Sequence, residues 1–428
     1  MIKERVILGE NCIYSFDPEE TGLNRNVAVV GGPGSGKTVS FGEAEHIETL
    51  KSQKPVIRFC VATKPKIERK YAPAYAKRGF QVYSVNFTDP YAGNSFPDLL
   101  KYVRSEDDII ELAKNIVMAN ERKERSSADP FWDDASVALL SAEIALTFML
   151  KDDPTFADVL DTHFSLKFEE SGCGISTSLD PIFRKIEAKD PECFALNQWK
   201  TFKEAAPKTA KSIFVSMNPT LMAFTSDMRK CMKTKPTIDF EKVANEKAVI
   251  FVTTSPVKKT LHSLANIFVA TAIAEFHRIA ERRPSGTLPN PVHITFDDFA
   301  VGARISDMPE KMAITREMGL SFSLLLQSES QLKKMYGDFG CVEILDCCDS
   351  YVYLGGNNYD TAKAISLKLN VPLEDILAMP VGTEVVFRRG QKGIVTRRYE
   401  ICKDPMYQKI TRDYENWLQE LDGRGGEK

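Results

Sequence analysis

Gly31-Gly32-Pro33-Gly34-Ser35-Gly36-Lys37-Thr38 stands directly after the apolar run Asn26 to Val30 and opens a helix-forming segment. A polyphosphate needs several backbone N–H donors converging on it, and only a glycine-rich turn lets the main chain wrap that tightly. Gly31, Gly32, Gly34 and Gly36 supply this freedom, with Pro33 and Ser35 completing the loop. The helix beginning near Lys37 points its positive end at the phosphates. The Lys37 ammonium is expected to reach the terminal phosphates, and the Thr38 hydroxyl to ligate magnesium. Strand before and helix after separate this stretch from a merely structural glycine turn, so ATP and Mg2+ are the expected ligands.

Outward from the loop, short apolar runs alternate with helix-like segments, the pattern of an α/β protein with a mostly parallel sheet. Further strands are expected at Val56 to Val61, Gln81 to Asn86, Ala248 to Thr253, Val292 to Phe296, Ser321 to Leu326 and Tyr351 to Leu354. Between about Ser105 and Phe240 the strand signal disappears. Apolar residues recur there at three and four, as in Ile109, Leu112 and Ile116, which predicts an inserted all-α domain. The expected layout is a nucleotide-binding domain over 1–104 and 241–428, a helical domain over 105–240, and a mobile tail at 422–428.

The chain has 428 residues, 43 % of them hydrophobic and 27 % charged, which suits two domains of an ordinary soluble protein. Its net charge of -3 argues against a generally basic nucleic-acid coat. A local basic contact is still possible at Lys64, Lys66, Arg69, Lys70 and Lys77, although a solvated helix face is the plainer expectation. Nine cysteines without a Cys-x-x-Cys framework read as reduced thiols in a cytosol. The charged first twenty residues are neither a signal peptide nor a span, and no run of about 18 apolar residues occurs.

A phosphate loop requires a second acid to hold magnesium through water, placed at the end of an apolar strand. Val292-His293-Ile294-Thr295-Phe296-Asp297-Asp298 provides it. Asp297 is the magnesium-side acid, and Asp298 is the candidate that orients or deprotonates the attacking water. Gln327, directly after Ser321 to Leu326, is a candidate sensor of the terminal phosphate, since ligands gather at the carboxyl ends of parallel strands. Arg316, taken alone, reads as an ordinary surface arginine.

The combined pattern resembles the coupling proteins of type IV secretion, the hexameric ATPases of conjugative DNA transfer. The residues carrying the resemblance are Gly31 to Thr38, Thr63-Lys64-Pro65-Lys66-Ile67-Glu68, Asp129-Pro130-Phe131-Trp132 and Phe296-Asp297-Asp298-Phe299-Ala300. Leu326-Gln327-Ser328, Gln331-Leu332, Tyr336-Gly337 and Tyr353-Leu354-Gly355-Gly356 complete it. The resemblance implies a RecA-like nucleotide domain plus an all-α substrate domain, assembled as a homo-hexamer. It also implies that Arg316 acts as an arginine finger in the neighbouring subunit's site and that Gln327 is the phosphate sensor.

The expected partners are a relaxase with its single-stranded DNA, and a membrane adaptor or secretion-channel protein. Three departures stand out. Asp298 replaces the family's usual Glu, so hydrolysis is expected to be slow. Lys64-Pro65-Lys66-Ile67-Glu68 replaces Asp-Pro-Lys-Gly-Glu, reversing a charge. Barely thirty residues precede the loop where relatives carry transmembrane helices, so the protein is expected to be cytoplasmic and recruited to the inner face of the membrane through a partner. Two other readings stay open: a nucleotide-dependent docking receptor with little hydrolysis, and a DNA translocase of the chromosome-segregation kind.

Overall fold

The computed structural model describes residues 3–119, 130–171, 174–255, 257–301 and 304–425. In chain order its strands are β1 Arg5–Gly9, β2 Cys12–Ser15, β3 Val27–Val30, β4 Ile57–Ala62, β5 Gln81–Asn86, β6 Phe168–Ser171 and β7 Gly174–Thr177. They continue with β8 Ala248–Thr253, β9 Val292–Phe296, β10 Leu320–Leu326, β11 Ser350–Tyr353, β12 Thr383–Arg388 and β13 Ile394–Arg397. Nine of them form one sheet in the order β13-β12-β11-β3-β10-β9-β4-β8-β5. Every pairing from β11 to β5 is parallel, and only β11 with β12 and β12 with β13 are antiparallel. The mostly parallel α/β sheet expected from the sequence is therefore present.

All seven predicted strands occur, shifted by at most one residue. They were legible because strands buried on both faces read as continuous Val, Ile, Leu and Phe runs. The sequence reading missed β1, β2, β12 and β13. β2 and β13 are only four residues each, with Ile394 and Val395 of β13 in solvent, and the buried runs of β1 and β12 are short. It also missed the β6–β7 hairpin within 105–240, where the remaining regular structure is helical, including Pro130–Leu150 and Pro207–Met222.

The two faces of the sheet are covered differently. On one side lie the β1–β2 hairpin and the helices Glu43–Lys51, Lys66–Lys77 and Pro405–Gly425. On the other lies the helix Lys259–Glu281, buried along nearly its whole length because the helices of 105–240 pack over it. Arg104 clamps Glu275 of that helix bidentately at 2.6 and 3.0 Å. A single apolar cluster runs from Ala28 and Phe59 of the sheet to Phe156 and Trp199 of the helical segment, so the two regions share one core. The terminal helix runs through Gly425, inside the stretch read as a tail, while residues 426–428 lie outside the described residues.

One cluster in this core is charged. Arg58 on β4 is 2 % exposed and donates to Glu4 at 2.6 Å, with Glu45 at 3.2 Å. Glu45 also accepts from Thr295 and Ser323 at 2.8 Å each, with His293 at 3.2 Å. Arg58, His293, Thr295 and Ser323 stand on the buried strands, on the face that meets helix Glu43–Lys51, which itself supplies Glu45. Ion pairing and hydrogen bonding compensate the desolvation of the charges. The network ties the helix that follows the phosphate loop to three strands at once. No helix among the described residues is long and apolar enough to cross a membrane.

Candidate nucleotide site

The register of the parallel strands brings the loop and its partners to one edge. Val30 pairs with Leu326, and Phe296 pairs with both Leu324 and Val61. The residues that follow these strands, Gly31, Gln327 and Asp297, therefore emerge side by side at the carboxyl ends, where open α/β sheets bind ligands.

The loop is held by main-chain bonds from both neighbours of β3. The Gly31 N–H donates to Leu326 O at 3.0 Å, and the Gly32 N–H donates to Gly355 O at 3.1 Å. Gly34 and Gly36 sit at φ 73 and 87, the left-handed region that favours glycine. A Cβ on Gly356 would stand 3.2 Å from the Gly32 nitrogen, so the Leu354-Gly355-Gly356 segment is small because the loop backbone passes against it. After Lys37 the chain makes a π turn over Thr38–Gly42 before the α-helix Glu43–Lys51. The helix expected near Lys37 thus starts with a widened turn, of the kind that recurs at functional sites.

Lys37 is 8 % exposed, and its Nζ donates to Gly31 O at 2.6 Å and to Gly32 O at 3.3 Å. Burial pulls its pKa below the ordinary lysine value, while Asp298 and Asp297 act to hold it up. Thr38 Oγ1 donates to Asp297 Oδ1 at 2.6 Å. Burial pushes the Asp297 carboxyl up to about 6 against the lowering effects of Thr38, Lys37 and Lys64, with Asp298 adding to the rise. Gln327 Nε2 approaches Asp298 Oδ1 at 3.5 Å, a weak contact, and Gln331 Nε2 donates to Gln327 Oε1 at 3.2 Å. Lys37, Thr38, Asp297, Asp298 and Gln327 are thus gathered at one place.

This arrangement fits a magnesium-bound polyphosphate. Ser35 Oγ is buried without a hydrogen-bond partner, and a Cβ on Gly31 would fall 2.5 Å from it, so the backbone cradle leaves no room for side chains. The hard oxygen donors Thr38 and Asp297 suit magnesium. Beside the loop opens a cavity of about 580 Å3, bounded by Pro33 and Ser35 on one side and by Asn358, Met379 and Val381 on the other.

Arg316 does not join this group within its own chain. It follows helix Met308–Thr315, is exposed, and precedes β10, at the edge of the sheet opposite the loop and near Cys347. Of the basic residues left open as contacts, Lys70 is 4 % exposed and ion-paired with Glu43, so it is no surface contact. Lys64, read from the sequence only as part of a basic run, acts on Asp297 by lowering its pKa. Two residues beside the site were not singled out from the sequence as site residues. Gln331 shares no strand-end signal because it lies on a helix. Arg398 lies 360 residues beyond Lys37–Thr38 in chain order, yet it lines the same cavity. Tyr336 stacks on Phe299 and accepts the Ile305 N–H at 3.0 Å, bracing the turn after Asp297 and Asp298. Trp132 packs against the core, while Asp129 of the same segment lies outside the described residues.

Solved structures share the fold at low identity. The plasmid coupling protein TrwB in complex with a non-hydrolysable GTP analogue matches with a TM-score of 0.64 at 16 % identity, covering 88 % of this chain and 85 % of that one. TrwB with an ATP analogue gives 0.63 at 16 %, covering 89 % and 86 %. VirB4 of Thermoanaerobacter pseudethanolicus gives 0.58 at 13 %, covering 95 % and 98 %. Sequence comparison with characterised proteins gives no significant match. The profile of the type IV secretory system conjugative DNA transfer family matches residues 1–370. With the phosphate loop and the strand-end acids standing within those residues, the chain belongs to the type IV secretory system conjugative DNA transfer family.

Proposed function

We propose that this protein is an ATP-hydrolysing motor of a type IV secretion system that takes relaxase-bound single-stranded DNA and delivers it to the transfer channel. The observation that carries this reading is the convergence of Lys37, Thr38, Asp297, Asp298 and Gln327 at one sheet edge, in a chain of the conjugative DNA transfer family. In this reading Gly31 to Thr38 hold the phosphates through backbone N–H groups, and Lys37 exchanges its bonds to Gly31 and Gly32 for phosphate oxygens. Thr38 and Asp297 hold magnesium. Bound there, magnesium neutralises charge on the phosphates. Asp298 takes the proton of the attacking water, and Gln327, steadied by Gln331, reads the terminal phosphate.

Arg316, remote from its own loop, serves the site of the next subunit in a homo-hexameric ring. The helical region 105–240 receives the DNA or relaxase, and a membrane adaptor or channel protein docks the ring from the cytoplasmic side. TrwB has been solved with nucleotide analogues and with ADP and Mg2+, which supports the same ligand class here. The test is ATP turnover with and without single-stranded DNA. Wild type is expected to turn over and to be stimulated by DNA, and Lys37→Ala to be inactive. A wild-type rate equal to that of Lys37→Ala under every condition rejects the motor.

A second reading, a docking receptor that hydrolyses little, is favoured by the short side chain of Asp298 and its weak 3.5 Å contact to Gln327. Asp298→Glu separates the two. A variant that gains turnover over a wild type that binds ATP without hydrolysing it selects the receptor.

A further inference from the structure

Arg398 lies beyond the residues matched by the family profile, in the segment that leaves β13. The Arg398 N–H donates to Gly382 O at 2.9 Å, which turns the side chain back toward the phosphate loop. Its Nη2 donates to Leu354 O at 2.8 Å, and its Nη1 lies 3.4 Å from where a Cβ on Gly36 would stand. The guanidinium therefore reaches the loop from the same chain.

A guanidinium carries five N–H donors. Nε of Arg398 is buried with no hydrogen-bond partner, and among the described residues no carboxylate lies within ion-pair distance of it. Burial lowers its pKa, with Glu384 as the acid acting against that. Glu384 is itself buried, and that burial pushes its carboxyl up to about 8 against the lowering effect of Arg398. Placing a cation in a partly desolvated position without a counter-ion is unfavourable unless an anion arrives there. Arg398 lines the same cavity as Pro33, Gly34 and Ser35, where the loop N–H groups converge.

We infer that Arg398 is a nucleotide-binding residue that contacts a phosphate of the nucleotide held by its own chain's phosphate loop. The inference rests on the loop binding nucleotide, as proposed above. It adds a second cation in cis, independent of any neighbouring subunit. Arg suits the role better than Lys because its planar fork bonds the Leu354 carbonyl and a phosphate oxygen at once. The first of these bonds also fixes the guanidinium in place before the ligand arrives.

The experiment measures equilibrium binding of a fluorescent ADP, and of adenosine by competition, to wild type, Arg398→Gln, Arg398→Lys, Arg398→Ala and Lys37→Ala, alongside thermal midpoints. Charge-assisted bonds of this kind correspond to about 10- to 100-fold in affinity. Arg398→Gln keeps an amide donor for Leu354 and removes the charge, so it is expected to weaken ADP by that factor while leaving adenosine within about twofold. Arg398→Lys is expected to recover part of the ADP affinity. The inference is overturned if Arg398→Gln binds ADP like wild type and only the thermal midpoint falls, for then Arg398 merely braces Leu354. It is equally overturned if adenosine weakens as much as ADP. Should Arg398→Ala fail to fold, the Gln and Lys variants carry the decision. Wild type that binds ADP no better than Lys37→Ala removes the nucleotide reading and this inference with it. Wild type that binds, with affinity lost in Lys37→Ala and kept in Arg398→Gln, removes this inference alone.

Discussion

Replacing Asp297 by asparagine should stabilise the ligand-free protein, although the residue stands at the centre of the site. The fold raises its carboxyl from 3.8 to about 6, chiefly by burial. The sign follows from linkage: a raised acid contributes stability below its unfolded value, and that contribution is lost as pH rises through the folded value. At about 1.4 kcal/mol per pH unit, the ionised side chain costs up to about 3 kcal/mol at pH 8 and roughly half that at pH 5. Asparagine is neutral throughout, and its carbonyl can still accept the Thr38 hydroxyl, which now donates at 2.6 Å. The assay is urea unfolding in a chelator, without nucleotide, at pH 8 and pH 5. At pH 8 the Asn variant should unfold at a midpoint higher by roughly 1 M urea, with the advantage about halved at pH 5. Magnesium-dependent nucleotide binding should be lost in the same variant. A variant less stable than wild type at pH 8, or an advantage independent of pH, would refute the reasoning. The carboxylate would then be stabilising the fold rather than being held against its preference for a ligand.

Other expectations follow from the same geometry. Arg58→Ala leaves Glu4 and Glu45 buried without their cation, and should lower stability by about 3 to 5 kcal/mol in urea unfolding. Gly356→Ala places a methyl 3.2 Å from the Gly32 nitrogen, so it should weaken ADP binding severalfold while the thermal midpoint changes little. If Arg316 serves the neighbouring subunit as proposed, mixing Arg316→Ala with Lys37→Ala subunits should restore part of the turnover that each variant lacks alone, because finger and loop of one interface would come from different chains. Verified mixed rings without rescue would remove Arg316 from the mechanism.

The phosphate loop, the acid pair at Asp297 and Asp298, the strand-end Gln327 and seven strands were legible in the residues alone. Each of these is a local signal. A glycine-rich turn is written in adjacent residues, and a strand buried on both faces is an unbroken apolar run. The other features of the site depend on residues far apart in the chain. Glu4, Glu45, Arg58 and His293 look like unrelated polar residues until the fold packs the helix carrying Glu45 against the strands carrying Arg58 and His293. The edge strand β13, with Ile394 and Val395 in solvent, carries no buried apolar run, so nothing local announced it or the return of Arg398 to Gly36. Lys64 read as part of a solvated basic run, and only the pairing of β4 with β9 sets it beside Asp297. Conversely, Arg316 is placed by the fold at the opposite sheet edge from its own loop. The loop could be read from eight consecutive residues because its chemistry is main-chain geometry. The charges around it could not, because Coulomb interactions depend on distance in space and not along the chain.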